Sequence, residues 1–80
     1  MTAIEIQETV QDIMRSTLEL KDLIISESTN ADDIEEWDSF AHLSLIMAIE
    51  KEFNINFALG EIQDMQHVGD LLHLIDKKLK

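Results

Sequence analysis

Three apolar stripes at helical spacing constrain this 80-residue chain more than any other feature. Ile6, Val10, Ile13 and Met14 recur along residues 3 to about 20, with Glu5, Glu8, Gln11, Asp12 and Arg15 mostly off the stripe, which predicts a first helix. Leu45, Ile46, Ile49 and Phe53 predict a second helix from Ser39 to about Phe53, with Asp38 or Ser39 supplying the oxygen that caps its first free amides. Val68, Leu71, Leu72, Ile75 and Leu79 predict a last helix, closed by Lys77, Lys78 and Lys80, where positive charge suits a helix C-terminus. Between the last two, Asn54-Ile55-Asn56-Phe57 reads as a turn, and Ala58 to Met65 as a short helix around Gly60. No alternation with a period of two and no internal repeat appears, so the expected architecture is all-α, three main helices and one minor one.

The stripes leave a long gap. From Lys21 to Asp38 periodicity fades into Ser26-Glu27-Ser28-Thr29-Asn30 and then an acidic run of Asp32, Asp33, Glu35, Glu36 and Asp38. Connections longer than about 12–15 residues are uncommon in compact domains and often functional. Leu23, Ile24 and Ile25 are placed to pin this one to the core; a solvated crossover is the plainer reading. Trp37, the only tryptophan, is expected to anchor the loop, and Gly69 to permit a close helix approach.

A chain of 9.2 kDa without a Pro-, Gly- or Ser-rich linker is expected to form a single domain over residues 1–80, and a domain of this size buries only about 60% of its unfolded surface. Seventeen acidic against six basic residues give a net charge of -11, which repels phosphate backbones and anionic membranes and favours cationic protein patches as partners. Nucleic acid and membrane are not expected partners, and a monomer is. The absence of cysteine excludes disulfides, thiolate metal sites and cysteine nucleophiles. No signal segment is visible, and the longest apolar run, Leu45 to Ile49, is far short of the roughly 20 residues a bilayer requires. A cytoplasmic protein is expected.

The second helix carries more than a core stripe. At about 100° per residue, Phe40, Leu43, Met47 and Glu50 cluster nearly opposite Leu45, Ile49 and Phe53. Either this second face meets a partner protein, for which an aromatic, a leucine and a flexible methionine are suited, or the 21-to-38 loop folds over it. Ser39 begins that face. Most serines there are caps and nothing more, but first-turn amides and the positive end of the helix dipole also favour a phosphate ester on the hydroxyl.

The stretch Asp38-Ser39-Phe40-Ala41-His42-Leu43-Ser44-Leu45-Ile46-Met47-Ala48-Ile49-Glu50-Lys51-Glu52-Phe53-Asn54-Ile55 resembles the Asp-Ser-Leu helix of acyl carrier proteins. Val68-Gly69-Asp70-Leu71 is similar to the Val-Gly-Asp opening of that family's last helix, so the likeness spans most of the chain. It implies a four-helix bundle that catalyses nothing itself. Its serine, here Ser39 with Asp38 as capping neighbour, receives 4'-phosphopantetheine from coenzyme A through a phosphopantetheinyl transferase. The arm's thiol then carries acyl or related groups as thioesters to acyl-loading and acyl-using enzymes with basic docking patches, in fatty-acid-like or specialised biosynthesis. Phe40, Leu43, Met47 and Glu50 would form the partner face, and Leu45, Ile46, Ile49, Ile62 and Leu72 would line any cargo cavity. An acidic interaction module that lacks the arm is the alternative.

The chain departs from the family pattern at Phe40, in place of the usual Leu, and at Glu36-Trp37, where a Gly and a small or aliphatic residue are commoner. Ala41 and Ser44 also make the second helix less acidic than in typical fatty-acid carriers, which moves charge onto Asp32, Asp33, Glu35 and Glu36. A hydrolase reading of Asp38, Ser39 and His42 lacks a glycine-rich nucleophile elbow, and His42 falls near the core rim. His67 and His73 have no ligand spacing with it, and the acidic run lacks the glycine and terminal glutamate of an EF-hand loop.

Overall fold

The computed structural model describes residues 2–65 and 67–79; Lys80 lies outside them. Four helices follow in order: α1 (Ala3–Leu18), α2 (Ser39–Phe53), α3 (Leu59–Gln63) and α4 (Val68–Leu79), with a 3₁₀ turn at Ala31–Asp33 inside the long first connection. The bundle is the all-α architecture that the stripes predict. α1 packs against both α2 and α4. Ile6, Val10 and Met14 of α1, Leu45, Ile46 and Ile49 of α2, and Val68, Leu71 and Ile75 of α4 are fully buried in one core. Leu79 is the member of the last stripe that stays exposed, and Ile13 is only partly buried.

α1 and α2 are bounded by specific local geometry. The Thr2 hydroxyl accepts from the Glu5 amide at 3.1 Å while Glu5 accepts from the Thr2 amide at 2.9 Å, a reciprocal cap that starts α1. α1 ends at Leu18, slightly short of the sequence expectation, where Glu19 turns left-handed with φ 57°. α2 ends in the same way at Asn54, with φ 56°. Asparagine tolerates that conformation better than glutamate does.

The first connection is held rather than solvated. Polar residues of α1 grip its backbone: Arg15 Nε donates to the Leu23 carbonyl at 2.7 Å, Gln7 to the Ile25 carbonyl at 3.3 Å, and Gln11 accepts from the Ile25 amide at 2.9 Å. Ile25 is thereby turned into the core, joined by Ile34 and Trp37, whereas Ile24 points outward. Further along, the Val68 amide donates to the Thr29 carbonyl at 2.7 Å and the Gly69 amide to the Glu27 carbonyl at 2.9 Å. A Cβ on Gly69 would sit 2.9 Å from that same Glu27 oxygen, so the close approach expected of this glycine is observed. The loop is thus fastened to α1 at one end and to the start of α4 at the other.

Candidate functional site

α2 begins where the loop ends. Asp38 is the cap: its Oδ1 accepts from the Ala41 amide at 2.8 Å, and its carbonyl accepts from the His42 amide at 2.9 Å. Ser39 is the first helical residue. It is exposed, and no hydrogen bond engages its hydroxyl among the described residues. The amides of Ser39 and Phe40 stand at the helix start, where no preceding turn exists to accept from them. An exposed hydroxyl beside open amides at the positive end of a 15-residue helix is suited to carry a phosphate ester.

Behind this serine the loop is locked by one side-chain pair. The indole Nε1 of Trp37, a residue only 7% exposed, donates to Nδ1 of His42 at 3.1 Å, with the two rings 5.9 Å apart between centroids. Trp37 therefore anchors the loop, and His42 sits half-buried at the rim, as expected. The same contact removes a serine-hydrolase arrangement. Asp38 spends its carboxylate on capping and Nδ1 of His42 faces the indole, so no acid orients the imidazole toward Ser39.

Beside Ser39 opens a cleft of about 620 Å³ between the start of α2, α3 and the segment before α4. Apolar residues Leu43, Leu59, Ile62, Met65 and Leu71 line it together with Trp37 and His42. Of the cargo positions expected from sequence, only Ile62 lies on this cleft. Leu45, Ile46 and Ile49 are closed into the core with α1 and α4, and Leu72 borders a smaller hollow on another side. Leu59, Met65 and Leu71 were not singled out as cleft residues. The short α3 stripe held the only signal for Leu59, and Leu71 reads from sequence as core alone.

The second face of α2 is open. Phe40 is 81% exposed, Met47 69% and Leu43 54%, so the loop does not fold over them. Glu50 differs from its three companions. It is half-buried, and its Oε2 accepts from the Phe57 amide at 2.8 Å, which ties the turn after α2 back onto the helix. α3 is held nearby by Glu61, which accepts from the Ala58 amide at 2.7 Å and pairs with Lys78 at 3.0 Å; the Lys78 ammonium also lies over the Phe57 ring. The Ala58 amide first, and Lys78 second, hold the Glu61 carboxyl below its ordinary range. Asp32, Asp33, Glu35 and Glu36 are all exposed on the loop that leads to this face. Among the described residues no cluster of His, Asp and Glu could hold a metal ion, and no helix is long and apolar enough to cross a membrane.

Residues 8–75 match the family model described as a phosphopantetheine attachment site. An acyl carrier protein of Porphyromonas gingivalis, found in strains ATCC 33277 and W83, is 28% identical over 76 residues, covering 95% of this chain and 97% of the relative. The solution structure of holo acyl carrier protein from Geobacter metallireducens superposes with a TM-score of 0.86 at 40% identity, over 91% of this chain and 84% of that one. The chain belongs to the phosphopantetheine attachment family, as one of its acyl carrier proteins. Proteins of this class carry a covalent phosphopantetheine and act as carriers rather than catalysts.

Proposed function

We propose that Ser39 is the residue that bears the phosphopantetheine arm and that the chain, as a single carrier domain over residues 1–80, presents cargo on it to partner enzymes. The observation that carries this reading is the free, exposed Ser39 hydroxyl on the first turn of α2, beside a cleft of about 620 Å³. Asp38 stabilises that turn by capping it and keeps the serine at the surface, where a phosphopantetheinyl transferase can reach it. Ser39 and Phe40 offer backbone amides to the ester phosphate, and the helix dipole favours its charge. The arm supplies a terminal thiol for thioester formation, chemistry that a chain without cysteine lacks.

The partner face is Phe40, Leu43 and Met47, exposed on α2 after a loop that exposes Asp32, Asp33, Glu35 and Glu36. Its acidic surroundings suit basic patches on acyl-loading and acyl-using enzymes. Glu50 contributes at the edge of this face while holding the Phe57 amide. The chain acts as a cytoplasmic monomer, and its net charge of -11 keeps copies apart while it meets these enzymes transiently.

Incubation with coenzyme A and a broad-specificity phosphopantetheinyl transferase tests the assignment. The wild-type chain is expected to gain roughly 340 Da and Ser39→Ala none. Unmodified wild-type protein, beside a control carrier that is modified, would leave an interaction module without an arm as the reading.

A further inference from the structure

One side chain of the cleft is left with an unused donor. The Trp37 indole can only donate, so Nδ1 of His42, 3.1 Å from it, must accept. That fixes the proton of the neutral ring on Nε2. No hydrogen bond to Nε2 occurs among the described residues, and it is not among buried polar atoms lacking a partner, so it is accessible on a residue that lines the cleft. His42 follows Ser39 by three positions on α2, a spacing that leaves about 5–6 Å between Cβ atoms.

The surroundings make that donor valuable. Asp32 and Asp38 place carboxylates at the mouth of the cleft, and no Lys or Arg lines it among the described residues. Of its other side-chain N–H groups, the Trp37 indole is spent on His42, Nδ1 of His67 lies 3.6 Å from Asp70, and Gln63 belongs to α3. Among the described residues that line the cleft, His42 is the one on the same helix as Ser39 with a side-chain N–H to offer an anionic ester there.

We infer that His42 is a positioning residue for the arm: its Nε2–H, set on that nitrogen by the Trp37 indole, donates a hydrogen bond to the phosphate carried by Ser39. This rests on the attachment at Ser39 proposed above. The bond holds the base of the arm toward the cleft, on the same helix as the partner face. Protonation of His42 puts a second proton on Nδ1, opposite the indole N–H, so the Trp37 contact and the electrostatics at the phosphate change together.

Phosphorus NMR of the loaded protein reads this contact directly. A phosphodiester does not titrate between about pH 5 and 8, the window in which histidine charge changes, so a step in its resonance there reports a neighbouring group. Wild type, His42→Gln, His42→Phe and His67→Gln are loaded, checked by mass and titrated. A step is expected in wild type and His67→Gln, and its loss in both His42 variants. Asp32, Asp38 and His67 are the other ionisable side chains that line this cleft among the described residues, and the His67→Gln protein separates the second histidine from His42. A flat resonance in loaded wild type, or a step that survives in His42→Gln, overturns the assignment to His42. Failure of the wild type to gain mass would instead overturn attachment at Ser39, and with it this inference.

Discussion

The close seam between Gly69 and Glu27 gives opposite expectations for the chain's two glycines. Both are in helices, Gly60 in α3 and Gly69 in α4, and both have ordinary negative φ, so alanine should stabilise either by about 0.5–1 kcal/mol if backbone entropy were the only term. At Gly60 nothing lies within 4 Å of the added Cβ. That variant is expected to gain the full amount, about 3–6 °C in melting temperature for a domain of this size. At Gly69 the new methyl would meet the Glu27 carbonyl at 2.9 Å and the Glu27 Cβ at 3.1 Å, the first of which is backbone and cannot rotate away. Relief requires the loop to retreat, which lengthens the Gly69 to Glu27 hydrogen bond of 2.9 Å and strains the adjoining Val68 to Thr29 bond of 2.7 Å. Crowding of this kind costs about 1–3 kcal/mol, and a weakened hydrogen bond adds up to about 1. After the gain in helix propensity is subtracted, Gly69→Ala is expected to lose about 1–2 kcal/mol, or about 5–10 °C. Urea and thermal melts followed by circular dichroism, in one buffer at fixed salt, measure both variants. A Gly69→Ala protein as stable as wild type would refute the seam as a constraint, and a destabilised Gly60→Ala would refute the open surface assigned to α3.

Trp37→Phe keeps most of the ring and deletes the indole donor, so a loss of about 1 kcal/mol is expected, against about 3–5 kcal/mol for Trp37→Ala; equal melts for Trp37→Phe and wild type would mean that the His42 bond contributes nothing. The Glu61 carboxyl is held below its ordinary range by the Ala58 amide and then by Lys78, so its stabilising contribution is full above the ordinary glutamate value and is lost as pH falls through the lowered one. Glu61→Gln should therefore flatten part of the acid limb of a plot of melting temperature against pH, and an unchanged limb would count against the pairing. With a net charge of -11, raising salt from about 0.02 to about 0.5 M should raise the melting temperature by screening self-repulsion, and a fixed or falling value would remove that repulsion as a cost.

The parts of this structure that repeat along the chain were legible from the sequence. Helical spacing identified α1, α2 and α4 because each buries one face, and it separated Leu45, Ile49 and Phe53 from Phe40, Leu43 and Met47 because the two sets lie on opposite sides of one cylinder. The side-chain cap at Asp38 was readable because its partner is three residues away. What stayed hidden depends on the path of the loop. Ile24 and Ile25 are equally apolar, and only the grip of Gln7 and Gln11 on the Ile25 backbone decides which one enters the core. Glu50 reads as surface on a wheel, yet the turn after α2 brings the Phe57 amide back to its carboxylate. The open cleft stayed hidden for a related reason: a wheel gives the direction in which Leu45, Ile46 and Ile49 point, but not that these side chains are closed into the core while the gap opens toward α3.

These hidden contacts converge on the residues around Ser39. The loop is fastened at Ile25 by α1 and at Glu27 and Thr29 by the start of α4, and it is closed by Trp37 against His42 before the chain turns at Asp38 into α2. Because the serine hydroxyl makes no hydrogen bond among the described residues, its position is set by these neighbours. Most of the loop's acidic residues stand apart from that positioning: Asp32, Glu35 and Glu36 are exposed, whereas Asp33, also exposed, accepts from the Asn30 amide at 3.3 Å and shapes the 3₁₀ turn. Rigidity at this site thus comes from a few backbone contacts and one indole, while charge is free to vary with the partner. A substitution at Gly69 or Trp37 should consequently disturb the presentation of Ser39 from a distance, whereas one at Asp32 or Glu35 should alter only the encounter with a basic surface.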